Sequence, residues 1–377
     1  MDRTVAFLRE LVAIDSVNPS LVPGGAGERE VAGAVASELE AIGLDVDVTE
    51  VEAGRPNVVG VLQGRSPGRT LMLCGHLDTV GVEGMTAPFE PVERGDRMYG
   101  RGAQDMKGGI ASMVGAARAL AESGGLPSGR LVIAGVVDEE YASVGAEALV
   151  TRWRADAAVV TEPTDLRIAV AHKGFAWVEM QTSGRAAHGS RPLEGRDAIL
   201  RMGRVLGRLE ALDRQLQAGP THPLVGSASL HASTIAGGRE LSVYPDQCLM
   251  HFERRTIPGE SSDVALREAE AILEAVQEND VFDARCRQLF GQPSHELPGD
   301  HALPRALGTV GARFGLTGDV TGTTFWTDAA ILGRAGIPAV VFGPGGAGLH
   351  ATEEYVKVPD VLTCRDVLAD LARELCR

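Results

Sequence analysis

His76 and Asp78 stand as H-L-D directly after the apolar run LMLCG, and three consecutive acids, Asp138, Glu139 and Glu140, follow the apolar run LVIAGVV. Asp105 lies in the glycine-rich stretch YGRGAQDMKGG, Glu162 closes AAVVTEP, and His350 follows IPAVVF within FGPGGAGLHATEEYV. Each has an ordinary reading when taken alone. H-x-D is a common polar loop, and an Asp ahead of a helix is by default its N-cap. Adjacent carboxylates, however, repel and raise one another's pKa unless a cation neutralises them. Every strong apolar run in this part of the chain ends in a His, Asp or Glu, at the end where open α/β sheets gather their ligands. That coincidence points to a metal site. Imidazole and carboxylate donors suit zinc, cobalt or manganese, and two histidines with three or four carboxylates exceed what one tetrahedral ion accepts. Two ions sharing a bridging carboxylate use them all, and such pairs activate water and clamp a developing tetrahedral oxygen. One acid beside a ligand is then left over as general base.

The elements that must position these residues are legible from periodicity. Val5, Leu8, Leu11 and Val12, then Val31, Val35, Leu39 and Ile42, mark two amphipathic helices, the second closed by Gly43. DVDVTEV alternates like a strand, whereas NVVGVL, TLMLCG, RLVIAGVV and DAAVVTE are short apolar runs of a buried, mainly parallel sheet. Helical stretches are expected around 106–122 and 144–153. The texture changes near Lys173. FAWVEMQTSG, a helix through Ile199, Met202, Leu206 and Leu209, strands in SASLHASTIAGG and LSVYPDQCLMHFERRT, a helix through Leu266, Ala269, Leu273 and Val276, and a strand VFDARCRQLF follow one another. That is the split-βαβ, ferredoxin-like order. From Gln292 the α/β texture resumes, with IPAVVF as a strand and PDVLTCRDVLADLARELC as a last helix. The fold class is therefore α/β, with 1–173 and 292–377 forming one domain and 174–291 inserted into it.

Composition narrows the function classes. The 377 residues carry 36 Lys+Arg against 51 Asp+Glu, a net charge of −15. Such an acid excess argues against nucleic-acid partners, whose phosphates are bound by clustered Lys and Arg, and against a basic membrane-surface protein. Arg9 and Glu10 break the apolar centre that a signal peptide needs, and the apolar runs are interrupted well short of a membrane span. Five scattered cysteines without a C-x-x-C pair fit neither a disulfide framework nor a Cys-based zinc site, and read as reduced thiols in a cytoplasm.

GHLDTV, YGRGAQDMKGG, DEEYASVGA, TEPT, GRAAHGSRP, ERRTIPGE, TDAAIL and HATEEYV occur in this order along nearly the whole chain. In these motifs the sequence resembles the dinuclear zinc hydrolases that include aminoacylase, acetylornithine deacetylase, succinyl-diaminopimelate desuccinylase and the glutamate carboxypeptidases. The resemblance implies a zinc-exopeptidase-like mixed sheet flanked by helices, with the inserted block as lid and dimerisation domain. It implies that His76, Asp105 and Glu162 hold one zinc, that Asp105, Glu140 and His350 hold the other, and that Asp105 bridges them. Glu139 would be the general base and Asp78 would orient His76. A cis peptide would fall at Asp105–Met106. His188 in AAHGSRP matches a histidine that reaches across a homodimer to stabilise the oxyanion; without the family it reads as plain surface. Arg255 matches the arginine that grips the substrate carboxylate.

The chain departs from that pattern in two places. Ser242 stands in GGRELSVYP where relatives commonly have Asn, altering a substrate contact, and Ala330 in TDAAIL replaces a frequent Arg, while GTTFW adds aromatic bulk nearby. One motif competes: Gly343, Gly345 and Gly348 spell G-x-G-x-x-G after a strand, as in a dinucleotide-binding turn. That reading requires a helix to begin at once, and LHATEEYVKVPD has no helical period before Pro359. The expected activity is hydrolysis of the amide bond of a small, carboxylate-bearing N-acyl amino acid by a homodimer with two zinc ions per chain, for which cobalt or manganese could substitute. A carboxypeptidase or dipeptidase and a non-catalytic metal- or peptide-binding relative are the alternatives.

Overall fold

In a computed structural model, which describes residues 2–277 and 283–377, the chain forms two compact units. The first comprises Met1–Val170, Leu297–Gly322 and Thr327–Arg377; the second comprises Ala171–Glu296 with Thr323–Trp326.

The first unit is built on a sheet ordered Asp45–Glu52, Arg55–Gln63, Arg130–Val136, Thr70–His76, Ala157–Val160, Ala339–Val341 and Ile168–His172. Thr70–His76 is buried along its whole length, as befits a strand in mid-sheet, and Leu71, Met72, Leu73 and Cys74 are wholly inaccessible. Burying side chains of this size contributes roughly 1.5–3 kcal/mol each, which is what keeps the strand in place. It runs parallel to Arg130–Val136 with His76 opposite Val136, and parallel to Ala157–Val160 with Cys74 opposite Val160. Ala339–Val341 is parallel to Ala157–Val160, with Val341 opposite Val160. In this register four strands end along one edge, so their following residues leave the sheet side by side.

The parallel reading holds only for those four strands. Asp45–Glu52 and Arg55–Gln63 pair antiparallel, Arg55–Gln63 is antiparallel to Arg130–Val136, and Ile168–His172 is antiparallel to Ala339–Val341. Two residues separate the first pair, and so short a link cannot make the crossover that a parallel pair requires. Periodicity also missed a second sheet, ordered Gly346–Ala347, Tyr355–Lys357, Arg97–Tyr99 and Val92–Arg94. Strands of two or three residues are too short to display an alternation, yet this sheet ties the chain before Asp105 to the chain after His350. Expected helices are found at Gly108–Glu122, Val144–Arg152 and Val358–Leu375. Among the described residues no helix is long and apolar enough to cross a membrane.

In the second unit, Gly174–Ser183, Ser229–Gly237, Gln247–Thr256 and Ala284–Gln292 form an antiparallel sheet, with Gln247–Thr256 and Gly174–Ser183 at its centre. The first two residues of the expected strand VFDARCRQLF, Val281 and Phe282, lie outside the described residues. Ala176, Val178 and Met180 point to one face and pack with Met202, Val205 and Leu209 of helix Ala198–Ala218 and with Ala269, Leu273 and Val276 of helix Val264–Gln277. Period-two burial along Gly174–Ser183 follows from that single covered face. Arg254 is completely inaccessible, its guanidinium held by Glu260 at 2.7 Å and Glu268 at 3.0 Å.

Helix Gly108–Glu122 begins against the sheet edge, and a Cβ at Gly109 would lie 2.0 Å from the Thr161 carbonyl oxygen. Gly109→Ala is therefore expected to destabilise the protein by about 3 kcal/mol, the upper end for overpacking a core. Chemical denaturation measures this; an unchanged midpoint would mean that the helix does not sit on the strand end.

Candidate metal centre

His76 is the last residue of its strand and almost inaccessible. Its Nδ1 donates to the main-chain oxygen of Asp78 at 2.9 Å, which leaves Nε2 facing Asp105 Oδ1 at 3.0 Å and Glu162 Oε1 at 3.5 Å. His350 Nε2 lies 3.3 Å from Asp105 Oδ2 and 3.2 Å from Glu140 Oε2. The two oxygens of Asp105 thus face two different imidazoles. Ligand atoms of His76, Glu139 and Glu162 lie within 4.8 Å of one another, as do those of His76, Asp105 and Glu140.

The charge balance of this cluster favours cations. Burial pushes the Glu139 and Glu162 carboxyls well above the ordinary range, and Asp328 adds to the rise in both. Burial and Asp105 also raise the Glu140 carboxyl. Burial alone would depress His76, but Glu162 and Asp105 overcome it and lift the imidazole well above its usual value. Hydrogen bonds to Asp105 and Glu140 push His350 up to about 10, and burial pushes Asp328 up to about 7. Shifts in this direction mark a group of acids whose charged forms need positive charge beside them. Two buried oxygens, Glu140 Oε1 and Asp328 Oδ1, have no hydrogen-bond partner among the described residues. An oxygen-and-imidazole donor set, one carboxylate between two histidines and orphaned buried oxygens together fit a pair of divalent cations.

Main-chain contacts fix the loops that carry these side chains. Glu354 accepts from the N–H groups of Gly102, Gln104 and Asp105 at 3.1, 2.8 and 3.1 Å and from Arg101 Nη1 at 2.6 Å. One buried carboxylate therefore clamps the Asp105 loop to the segment that follows His350. The Asp105–Met106 peptide is cis, as the resemblance implied. Gly348 has φ +94° and a Cβ there would lie 1.9 Å from the Glu353 oxygen, so only glycine permits the turn that presents His350. Short strands at Gly346–Ala347 and Tyr355–Lys357 follow Gly343 and Gly345 where a dinucleotide turn requires a helix.

Asp78 contacts His76 through its main chain. Asp78 does not hold His76 through its carboxylate, which is 3.6 Å from Nδ1 and too far for a hydrogen bond. Its main-chain oxygen orients the ring, while its carboxylate accepts from Asn18 Nδ2 at 2.7 Å and from the N–H groups of Glu139 and Glu140, each at 3.1 Å. With one residue between His76 and Asp78, the carbonyl reaches the ring first, and the side chain is turned towards the acidic loop.

His188, Ser242 and Arg255 belong to the second unit. His188 is exposed, and its Nδ1 accepts from the Ser190 N–H at 3.2 Å. The Gly189 N–H donates to the Ser242 carbonyl at 2.7 Å, which places Ser242 alongside that turn through its main chain. Arg255 donates from Nε to Glu253 at 2.6 Å and lies over the Phe175 ring at 5.5 Å. Sequence reasoning passed over Glu354, Arg101, Asn18, Arg55 and Asp328, although TDAAIL and HATEEYV contain two of them.

A family model described as Peptidase family M20/M25/M40 matches residues 72–374. The chain belongs to that family. An acetylornithine deacetylase of Myxococcus xanthus is 33% identical over 98% of this chain and 97% of its own length. Among solved structures, a tripeptidase from Staphylococcus aureus superposes with a TM-score of 0.85 at 21% identity, covering 100% of this chain and 98% of that one. A dinuclear metal-binding M20 peptidase from Bacillus subtilis superposes with a TM-score of 0.75 at 18% identity, covering 99% and 98%. The M20 fold and a hydrolase of that family are thereby established for this chain.

In this M20 protein, Glu354→Ala would strand the buried Arg101 guanidinium. A loss of about 3–5 kcal/mol is expected, as for other buried pairs broken on one side, measurable by urea unfolding. The double variant Arg101→Met/Glu354→Leu should recover part of it; full stability of Glu354→Ala alone would contradict the clamp.

Proposed function

We propose that the chain is a dinuclear zinc amidohydrolase that cleaves a small N-acyl amino acid bearing a free carboxylate. The observation that carries this reading is Asp105, with one carboxylate oxygen towards His76 and the other towards His350. His76, Asp105 and Glu162 would hold one ion, and Asp105, Glu140 and His350 the other. When bound, the metal pair supplies a water acidic enough to attack at neutral pH and positive charge for the developing oxyanion.

Glu139, next in sequence to the ligand Glu140, serves as general base, as the family resemblance implies. Its carboxylate takes the proton from the attacking water and returns it to the nitrogen of the leaving amine. His188, whose Nδ1 faces Ser190, would offer Nε2 to the oxyanion. Arg255 keeps its two terminal nitrogens free of hydrogen bonds among the described residues, a fork that suits a bidentate carboxylate grip. Ser242, beside the His188 turn, contacts the substrate. The deacylase reading draws on the Myxococcus xanthus relative.

The second unit acts as lid and homodimerisation domain. Ser229–Gly237 is an edge strand, exposed from His231 onward, and Leu241, Leu200 and Ile235 are 108%, 69% and 54% exposed. An open edge beside apolar side chains favours pairing with a second copy. Five unpaired cysteines, four of them buried, accord with a reducing cytoplasm.

Amine release from N-acetyl, N-succinyl and N-formyl amino acids and dipeptides, with zinc added and a chelator as control, tests the activity. Chelator-sensitive release from the acyl amino acids is expected; release from dipeptides alone would overturn the deacylase in favour of a peptidase. Glu139→Gln should retain both metals while kcat falls by about 10²–10⁴-fold, and an active variant would remove Glu139 from the base role. Mixing Glu139→Gln with His188→Ala chains should restore part of the activity through hybrid dimers. Hybrids that form without complementing would exclude action across the dimer.

A further inference from the structure

Behind the acidic loop lies a buried polar network centred on Arg55 and Asn18. Arg55 is 6% exposed, and Glu28 and Asp138 beside it are 0% and 2% exposed. Its guanidinium grips Glu28 through Nη2 at 2.6 Å and Nε at 2.9 Å, and reaches Asp138 Oδ1 through Nη2 at 2.8 Å. Nη1 donates to Ser20 Oγ at 2.8 Å and to Glu52 at 3.0 Å. Asn18, itself inaccessible, uses its one amide group to bridge two acids, Asp78 Oδ2 at 2.7 Å and Asp138 Oδ1 at 3.1 Å.

Both ends of the network act on the same short segment. Asp138 is a non-glycine residue at φ +70°, and its carbonyl accepts from the N–H groups of Tyr141, Ala142 and Ser143. Its Oδ2 accepts from Ala142 N–H at 3.2 Å. Asp78 takes the next two N–H groups of the turn, those of Glu139 and Glu140. A left-handed Asp persists only where its surroundings over-determine it. Here the surroundings are a guanidinium and a carboxamide, without which Asp138, Asp78 and Glu28 would face one another as buried, uncompensated charges.

We propose that Arg55 and Asn18 are positioning residues for the Glu139–Glu140 pair. They hold the Asp138 turn and the Asp78 carboxylate in the one arrangement that presents Glu139 as base and Glu140 as ligand. The proposal rests on the metal-hydrolase reading for the purpose of the turn, and on the hydrogen-bond geometry alone for the coupling. Asn18→Leu removes both bridging donors at similar volume, and Arg55→Met removes the charge while retaining an apolar stem.

The test has two readouts. In the first, zinc affinities of the apo-protein are measured by competition with a chromophoric chelator. One of the two sites, the one that would take Glu140, is expected to lose about 10–100-fold, the usual effect of removing support behind a ligand, while the other changes little. In the second, zinc-saturated enzyme is expected to lose about 100-fold in kcat, as for a misplacement near 1 Å, with KM within about threefold of the parent. A network that only stabilises the fold would lower the unfolding midpoint and leave both the affinities and kcat of the folded, loaded enzyme unchanged, and that result overturns the proposal. Should both variants fail to fold, Asn18→Ser, which keeps a short donor, carries the same two measurements. The zinc titration needs no substrate, so an inactive parent would count against the proposed reaction and leave this test standing.

Discussion

Mutual repulsion among carboxylates at one edge of the first unit's sheet is the constraint that the surrounding structure answers. Asp105, Glu139, Glu140, Glu162 and Asp328 share a partly or wholly buried region in which, among the described residues, His76 and His350 are the facing imidazoles. Removing unpaired charge from water is costly, so such a group of acids persists only with cations, retained protons or donated hydrogen bonds. Two of the loops answer it in the same way. Behind Asp105, Glu354 collects three main-chain N–H groups and Arg101. Behind Glu139 and Glu140, Asp78 and Asp138 collect main-chain N–H groups, and Arg55 with Asn18 neutralises and spaces them. In both cases an outer acid orients backbone, and an arginine behind it removes the charge conflict.

His76, Glu140, Glu162 and His350 could be singled out because each follows an apolar run of the buried-strand type, whereas Asp105 stands in a glycine-rich stretch and was placed among them by the resemblance. Parallel register then converts position after a strand into proximity in space, which is why His76, Glu140, Glu162 and His350 could be grouped without coordinates. The supporting residues were not legible, because their partners are set by topology. Arg55 stands 83 residues from Asp138 and Arg101 stands 253 from Glu354, and nothing local marks either separation. Which atom of Asp78 orients His76 was not legible for a smaller reason. Both its carbonyl and its carboxylate are near His76, and only the turn at the strand end decides which one makes the bond.

Two adjacent arginines in the second unit show the same division between pattern and place. Arg254 and Arg255 follow one another in Gln247–Thr256, so the pleat turns them to opposite faces. Arg254 enters the helix-covered side, where Glu260 and Glu268 enclose it, and Arg255 emerges on the other side against Phe175 and Glu253. Alternation predicts that the two must differ. Which of them is enclosed depends on where Glu260 and Glu268 arrive.

Ala339–Val341 lies between Ala157–Val160 and Ile168–His172, hydrogen-bonded to both. During synthesis the two flanking strands therefore leave the ribosome long before the strand that joins them, with the whole second unit made in the interval. Until it arrives, the nascent sheet carries a gap one strand wide and two unpaired inner edges, the kind of surface that invites wrong partners. His350 lies only nine positions beyond Val341. Closing the sheet and delivering the last imidazole are thus one event, so the proposed metal site is not complete while the central sheet is open.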